Sequence, residues 1–218
     1  MSIKILLADD HKIIRDGLRA LIDMQEDMEV VADAHNGRTA VELARNLAPH
    51  VVVMDVSMPD LNGIDATRKI LTALPKVKVI ALSMYSDRRF VTEMFKAGAA
   101  GYLLKDCAFE ELSRAINTVM SGNIYISPTI ANLMVENFVQ KTGPKNAGSV
   151  FSQLTHRERE VLQLIAEGKT TKQIAAQCHI SIKTVETHRK HIMEKLGLNS
   201  VAELTKYAIR EGLTPLEK

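Results

Sequence analysis

Five short apolar runs in the first half of the chain constrain its fold more than any other feature. They lie near residues 3–8, 29–34, 50–55, 77–82 and 101–104. Segments with helical spacing of apolar residues separate them, at about 12–24, 38–48, 63–73, 87–97 and 108–120. Strands that are continuously apolar are buried on both faces, which requires a parallel sheet with helices on either side. The sequence therefore predicts a five-stranded, doubly wound parallel α/β domain.

Polar residues stand at the ends of four of these runs. Asp9 and Asp10 follow the first run, Asp55 ends the third, Ser83 follows the fourth and Lys105 follows the fifth. Because the carboxyl ends of parallel strands meet at one edge of a sheet, these side chains should converge on one crevice. An aspartate that attacks an anionic phosphoryl group needs a divalent cation, and Mg²⁺ prefers oxygen ligands. The pattern predicts metal-assisted phosphorylation of an aspartate.

A change of composition separates a second, smaller domain from the first. A helix is predicted from residue 122 to about 138, and glycine, proline, asparagine and serine then crowd into residues 143–149. We predict three segments: residues 1–121 for the α/β domain, 122–150 for a connecting helix and flexible linker, and 151–218 for an all-α domain.

Capping signals mark the short helices of this second domain. Thr155, Thr170 and Ser200 each precede a Glu or Gln by three positions, and Ser181 can cap the helix after it. Helices at 170–178 and 182–195, joined by a short turn, have the lengths of a helix-turn-helix. The basic excess of the chain also lies in this half, as DNA binding requires.

Composition excludes several classes of protein. With two cysteines and no CxxC pair, neither a disulfide framework nor a zinc site is expected. The longest apolar runs fall well short of the roughly 20 residues of a membrane span, and the start of the chain lacks the features of a signal peptide. These observations predict a cytoplasmic protein without a membrane partner. His11 and most other histidines lack a partner at ligand spacing and are interpreted as surface or capping residues.

The second helix of the helix-turn-helix has two distinct sides. Ile182, Val185, Ile192 and Leu196 should face the helical bundle. The opposite side should meet a major groove of double-stranded DNA. There Lys190 can donate to guanine, Glu186 can accept from cytosine and Thr187 can present its methyl group to thymine. The residues better placed for DNA phosphates are Lys183, Thr184, His188 and Arg189.

Both halves of the sequence resemble known families. The segments ADDH, VVMDVSMPDLNG, IALS and GYLLKD are similar to the signature segments of response-regulator receiver domains, which have the flavodoxin-like fold. The segment LTHREREVLQLIAEGKTTKQIAAQCHISIKTVETHRKHIMEKLGL resembles the LuxR-type helix-turn-helix. Together the halves resemble the NarL/FixJ class of transcription factors.

The resemblance implies a role for each residue of the first site. Asp55 matches the phosphoacceptor, Asp10 a direct metal ligand and Asp9 a ligand that acts largely through water. Ser57 would supply its backbone carbonyl to the metal. The resemblance also implies a switch hydroxyl, a phosphoryl-binding cation and a reorienting aromatic ring, which are Ser83, Lys105 and Tyr102. Many receivers have a cis proline after this lysine, whereas Asp106 follows here.

The resemblance also implies partners. A sensor histidine kinase would phosphorylate the receiver, a homodimer would form and bind a two-fold promoter site, and RNA polymerase is a further candidate. The protein would not be an enzyme beyond the transfer and loss of its own phosphoryl group. In the resembling family the last helix pairs two DNA-binding domains, which points to Val201, Leu204 and Ala208; the same apolar residues could equally close the bundle core.

Two alternatives remain open at this point. An aspartyl-phosphate hydrolase would also place carboxylates at strand ends, but it would need a second acid two positions after the nucleophile, where Ser57 stands. A DNA-binding protein that uses the receiver only as a dimerisation platform would not depend on Asp55 for DNA affinity.

Overall fold

Strands and helices alternate through the first part of the chain in a computed structural model that describes residues 2–84, 86–139 and 153–214. The strands are β1 (Ile3–Ala8), β2 (Met28–Ala34), β3 (Val51–Asp55), β4 (Lys78–Ser83), β5 (Gly101–Leu104) and β6 (Tyr125–Ile126). The helices are α1 (Lys12–Asp23), α2 (Gly37–Leu47), α3 (Gly63–Ala73), α4 (Arg88–Lys96), α5 (Ala108–Met120) and α6 (Pro128–Val139). Most of the predicted linker lies outside the described residues.

All of these strands belong to one parallel sheet with the order β2-β1-β3-β4-β5-β6. In the register, Ala8 pairs with Met54, Asp55 with Leu82, and Ser83 with Leu104. The carboxyl ends of β1, β3, β4 and β5 therefore lie next to one another. The chain order reverses between β1 and β3, which is where ligands of doubly wound sheets bind.

Both faces of the sheet are covered, as the apolar runs predict. Alternate residues such as Ile5, Leu7 and Val53 share a core cluster with residues of α1 and α5. The intervening Leu6 and Val52 are also fully buried, on the face that α2, α3 and α4 cover. The predicted doubly wound α/β fold is confirmed.

The sheet has one strand more than the sequence analysis predicts. Residues 125 and 126, assigned there to a helix that starts at residue 122, instead extend the sheet beyond β5. Tyr125 N–H donates to Ala100 O at 3.0 Å, and Ser127 N–H donates to Tyr102 O at 3.0 Å. These bonds satisfy backbone groups of β5 that would otherwise lie at an open edge. The helix starts only at Pro128, where the missing N–H of proline has no cost.

Four short helices form the second unit, α7 (His156–Ala166), α8 (Thr171–Cys178), α9 (Ile182–Leu196) and α10 (Val201–Arg210). The three predicted capping boxes are present, at Thr155, Thr170 and Ser200. Ser181 caps α9, and Gly197 ends it in the left-handed conformation. The apolar residues of the four helices share one core, which includes Leu162, Ile174, Val185 and Ile192.

Four apolar side chains of this unit were assigned to the bundle or to a dimer surface. Ile182 is 50% exposed rather than facing the bundle. A helical side chain leans over the turn that precedes it, and Ile182, the first residue of α9, has no such turn. Leu204 and Ala208 are fully buried in the core, which agrees with the alternative that they close the bundle and not with a dimer surface. Each lies on the inner side of α10, while Val201 is 48% exposed and stays a candidate for that surface.

Candidate functional site

The polar residues at the strand ends of the α/β unit meet as the sequence predicts. Lys105 Nζ lies 2.7 Å from Asp9 Oδ2 and 2.8 Å from Asp55 Oδ2. All three side chains are at least nine-tenths buried, with exposed fractions of 5% or less. A lysine ammonium that bridges two buried carboxylates offsets part of their mutual repulsion. The arrangement places one cation and two anions in a crevice that is closed to most solvent.

The electrostatics of the crevice disfavour the ionised form of Asp55. Burial, followed by the repulsion of Asp9, raises the pKa of Asp55 to about 7, although Lys105 and the Ser57 N–H act in the opposite direction. The Ser57 N–H donates to Asp55 Oδ1 at 3.1 Å. The one lysine therefore does not compensate both carboxylates, and an additional positive charge would stabilise the site.

The crevice fits a divalent cation. One ligand atom from each of Asp9, Asp10, His11 and Asp55 can be chosen so that all four lie within 4.8 Å of one another. Opposite ligands of one ion at bond lengths of about 2.1 Å lie about 4.2 Å apart, so small adjustments bring these atoms to coordination distance. The oxygen atoms of the three aspartates suit Mg²⁺. The residues that could hold it are the predicted carboxylates, and Ser57 lies beside them.

Ser83 and Tyr102 form a second feature next to this crevice. Ser83 ends β4, and Tyr102 lies on neighbouring β5 with its ring fully buried. Their hydroxyl groups are hydrogen bonded to each other, and burial raises the pKa of Tyr102 to about 12. The predicted switch residues are therefore in direct contact.

The bond from Lys105 to Asp106 is trans, as are all peptide bonds between described residues.

In the helical unit, α9 presents its predicted polar side to solvent. The exposed members are Lys183, Thr184, Glu186, Thr187, Arg189 and Lys190. His188 is half-buried, and this burial lowers its pKa below the ordinary value, so its ring is mostly neutral at pH 7. Thr187 is exposed, and its hydroxyl donates to the backbone oxygen of Lys183 at 3.0 Å. This side offers cations, donors and a methyl group, the contacts that DNA recognition uses.

Two family models match the chain. Residues 5–117 match the response regulator receiver domain, and residues 152–208 match the LuxR family of bacterial regulatory proteins. The chain is a LuxR-family response regulator. It is a two-component transcription regulator with a receiver and a helix-turn-helix DNA-binding domain, and its family is one of transcription factors.

Similar proteins align with this chain along almost their whole length. The oxygen regulatory protein NreC of Staphylococcus carnosus (strain TM300) is 40% identical over 213 residues, which is 96% of this response regulator and 98% of NreC. The structure of the response regulator ChrA of a heme-sensing two-component system is 33% identical, with a TM-score of 0.53 and coverage of 97% and 98%. RcsB of Salmonella typhimurium is 26% identical, with a TM-score of 0.64 and coverage of 94% and 96%.

The response regulator has a buried glycine beside Asp55 whose role the sequence analysis missed. A Cβ atom at Gly63 would lie 1.9 Å from the backbone oxygen of Asp55, and the Gly63 N–H donates to Val56 O at 2.9 Å. Only glycine allows the start of α3 to pack this closely against the end of β3. The signal was present as the last residue of VVMDVSMPDLNG, but spacing alone does not reveal a backbone contact.

An ion pair that positions α9 was also missed. Lys195 Nζ lies 2.7 Å from Glu158 Oε2, and Glu158 also completes the capping box of α7 with Thr155. Burial raises the pKa of Glu158, but the hydrogen bonds from Lys195 and Thr155 outweigh it, so that the net pKa is lowered. The pair ties the end of α9 to the beginning of α7.

No helix in the described part of the response regulator combines the length and apolar character that crossing a membrane requires.

Proposed function

We propose that a sensor histidine kinase phosphorylates Asp55 of this response regulator, and that phosphorylation drives dimerisation and binding to a two-fold promoter site. The observation that carries this proposal is the placement of Asp55 at the end of a buried strand, with Lys105 Nζ 2.8 Å away and two further carboxylates beside it. The protein would act in the cytoplasm, where promoter DNA lies, and RNA polymerase is a candidate partner at the promoter.

The proposed chemistry is a displacement at phosphorus. A carboxylate oxygen of Asp55 forms a bond to the phosphorus of a phosphohistidine, the phosphorus–nitrogen bond breaks, and its electron pair leaves with the imidazole. Mg²⁺ bound by Asp9, Asp10, Asp55 and the Ser57 carbonyl would neutralise charge on the transferred group. Lys105 lies close enough to Asp55 to pair with a phosphoryl oxygen.

The contact between Ser83 and Tyr102 supports a switch role for both residues. The Ser83 hydroxyl is hydrogen bonded to Tyr102, and it has one proton to donate. If a phosphoryl oxygen on Asp55 accepts a hydrogen bond from the Ser83 hydroxyl, Ser83 can keep its contact with Tyr102 only as an acceptor. The phosphoryl group also competes with the carboxylates for Lys105. The ends of β4 and β5 are therefore where we place the first response to phosphorylation.

The exposed side of α9 supports DNA binding. Lys183, Thr184, His188 and Arg189 would contact phosphates, with neutral His188 acting as a hydrogen-bond donor rather than a cation. Lys190, Glu186 and Thr187 would read guanine, cytosine and thymine. Pairing through Val201 would place two α9 helices on successive major grooves. The structure of an RcsB–DNA complex, 26% identical to this chain with a TM-score of 0.58, supports the use of DNA as the partner.

The test treats the full-length protein with acetyl phosphate and Mg²⁺ and locates the adduct by mass spectrometry, with footprinting on genomic fragments in parallel. We expect one adduct, on Asp55, and footprints that appear or strengthen with the phosphodonor. Asp55→Asn should show neither change. Footprints of equal strength for wild type and Asp55→Asn, with or without the phosphodonor, would favour the phosphorylation-independent alternative.

A further inference from the structure

His11 lies against the acidic crevice rather than acting as a helix cap. It occupies the N-cap position of α1, but its side chain makes no capping hydrogen bond. Its Nδ1 atom lies 2.8 Å from Asp10 Oδ1 and forms a hydrogen bond of 3.2 Å with Asp9 Oδ1, which a metal ion bound to Nδ1 would replace. The side chain of His11 is 61% exposed, so the ring can take part in the site without losing most of its contact with water. The sequence interpretation of His11 as a surface or capping residue overlooked this placement.

We propose that His11 supplies an imidazole nitrogen to the metal site, which raises the affinity of the site for divalent transition-metal ions relative to Mg²⁺. This inference rests on the metal site of the proposed function and names a residue that sets its selectivity. The occupant is defined by its chemistry: an ion such as Ni²⁺, Co²⁺ or Mn²⁺ that accepts both nitrogen and oxygen ligands.

The geometry between His11 and Asp10 favours shared coordination over a hydrogen bond. Asp10 Oδ1 is buried and accepts no hydrogen bond from the described residues, although His11 Nδ1 lies only 2.8 Å away. The two atoms are therefore close without the alignment that a hydrogen bond requires. Neighbouring ligands of an octahedral ion with bonds of about 2.1 Å lie about 3.0 Å apart, which is close to this separation. Ligand atoms of Asp9 and Asp55 complete the group within 4.8 Å.

The choice of donor atoms determines which ions gain from His11. Mg²⁺ is a hard ion that keeps water and carboxylate oxygens, so a ring nitrogen adds little to its binding. Imidazole suits nickel, copper and zinc, and the affinity of mixed nitrogen and oxygen sites rises from Mn²⁺ through Co²⁺ to Ni²⁺. The same crevice without His11 would offer oxygen ligands only. His11 therefore shifts the selectivity of the site beside Asp55 towards ions that accept a nitrogen ligand.

A positioning role for His11 is the alternative that the experiment must separate. The ring could orient the Asp10 carboxylate without binding the ion itself, as outer partners of metal ligands do. In that case loss of His11 would weaken Mg²⁺ and Ni²⁺ binding by similar factors. If the nitrogen is a ligand, loss of His11 weakens the binding of transition-metal ions only. The wild type should then also give a spectroscopic signal from a nitrogen bound to the ion.

The experiment compares the full-length wild type, His11→Ala and His191→Ala in calorimetric titrations with Ni²⁺ and with Mg²⁺. His191 is an exposed histidine of the other unit, so its loss reports on Ni²⁺ bound away from the crevice. We expect His11→Ala to lose about tenfold or more in Ni²⁺ affinity, as altered metal sites commonly do. Its Mg²⁺ affinity should stay within about twofold of the wild-type value, because the oxygen ligands remain. His191→Ala should bind Ni²⁺ with the wild-type affinity at the site from which excess Mg²⁺ displaces Ni²⁺.

Pulsed electron paramagnetic resonance of bound Mn²⁺ supplies the second measurement. The wild type should show modulation from a coordinated nitrogen-14 nucleus, and His11→Ala should not. Equal losses for Ni²⁺ and Mg²⁺, or no nitrogen signal in the wild type, would overturn the inference. If the wild type fails to bind Mg²⁺ at all, the magnesium site of the proposed function is wrong, and the Ni²⁺ and Mn²⁺ results still decide the role of His11.

Discussion

Gly63 leaves no room for a side chain against the backbone of Asp55, since a Cβ atom there would lie 1.9 Å from the Asp55 carbonyl oxygen. The obstacle is backbone, which cannot rotate away as a side chain can. The start of α3 and the end of β3 thus form one packed unit beneath the proposed phosphorylation site. The position of the Asp55 carboxylate depends on that packing.

Gly63→Ala should therefore impair both stability and phosphorylation. Overpacking of a tight core site typically costs about 1–3 kcal/mol, and the necessary shift would displace Asp55 from Lys105. Urea unfolding and the yield of acetyl-phosphate labelling measure the two effects. Gly101→Ala is the control, because a Cβ atom there meets its nearest neighbours only at 3.4 Å. Labelling of Gly63→Ala at the wild-type rate would contradict the packing argument.

Removing the bridging cation should destabilise the protein in the absence of metal. Lys105→Met leaves Asp9 and Asp55 buried together without a cation, and breaking a buried pair costs up to about 3–5 kcal/mol. Urea unfolding at pH 7 in EDTA should show this loss. Added Mg²⁺ should stabilise Lys105→Met more than it stabilises the wild type, because the ion supplies the missing charge.

The control for this change is Lys96→Met. The Lys96 side chain is 63% exposed and pairs with Glu93, so its loss should cost at most about 1 kcal/mol. If Lys105→Met and Lys96→Met have the same stability in EDTA, the bridge has no energetic role.

Asp55 should make the metal-free protein less stable as the pH rises towards neutral. Its pKa is about 7 in the folded protein, against 3.8 for an unperturbed carboxyl group. Between these values the folded state holds a proton that the unfolded state has released, so this contribution to stability falls with rising pH. Asp55→Asn removes it. In EDTA at constant salt, the unfolding free energy of Asp55→Asn minus that of the wild type should therefore increase from pH 5 to pH 8.

Saturating Mg²⁺ should reduce this difference, because the bound ion favours the ionised form of Asp55. A wild type and an Asp55→Asn variant with parallel pH profiles in EDTA would show that Asp55 is not destabilised by its surroundings.

Two lysines of α9 should have separable effects on DNA. Lys183→Ala removes a proposed phosphate contact, so it should weaken binding to all sequences and reduce the salt slope by about 1. Lys190→Ala removes a proposed base contact, so it should cost about 1–3 kcal/mol on the preferred site and relax the preference for guanine. Fluorescence titrations over a range of salt and with single-base operator variants measure both.

Lys12→Ala, on the α/β unit, is the matched control and should leave the salt slope unchanged. The assignment of the two lysines is wrong if Lys183→Ala alters base preference while Lys190→Ala does not.

The sequence predicts the crevice well because its geometry follows from strand order. Asp55, Ser83 and Lys105 each end or follow an apolar run, and parallel strands bring such ends together without further information. The caps of the helical unit are equally local, as Thr155 and Ser200 show. These features depend on residues only a few positions apart, or on a single edge of the sheet.

Features that depend on contacts across the fold could not be predicted in the same way. The ion pair between Lys195 and Glu158 joins two helices whose packing the sequence does not give. The short strand at Tyr125 forms because backbone groups at the edge of β5 need hydrogen-bond partners. The sequence around Tyr125 does not reveal that need. Leu204 carries the same helical spacing whether its face meets the core or another molecule.

Sedimentation velocity of the full-length protein with and without beryllofluoride in Mg²⁺ measures whether an adduct on Asp55 drives dimerisation, since beryllofluoride mimics the phosphoryl group on an aspartate. We expect the wild type to shift from monomer to dimer on addition of beryllofluoride, and Asp55→Asn to stay monomeric under the same conditions. A wild type whose sedimentation is unchanged by beryllofluoride would contradict this expectation.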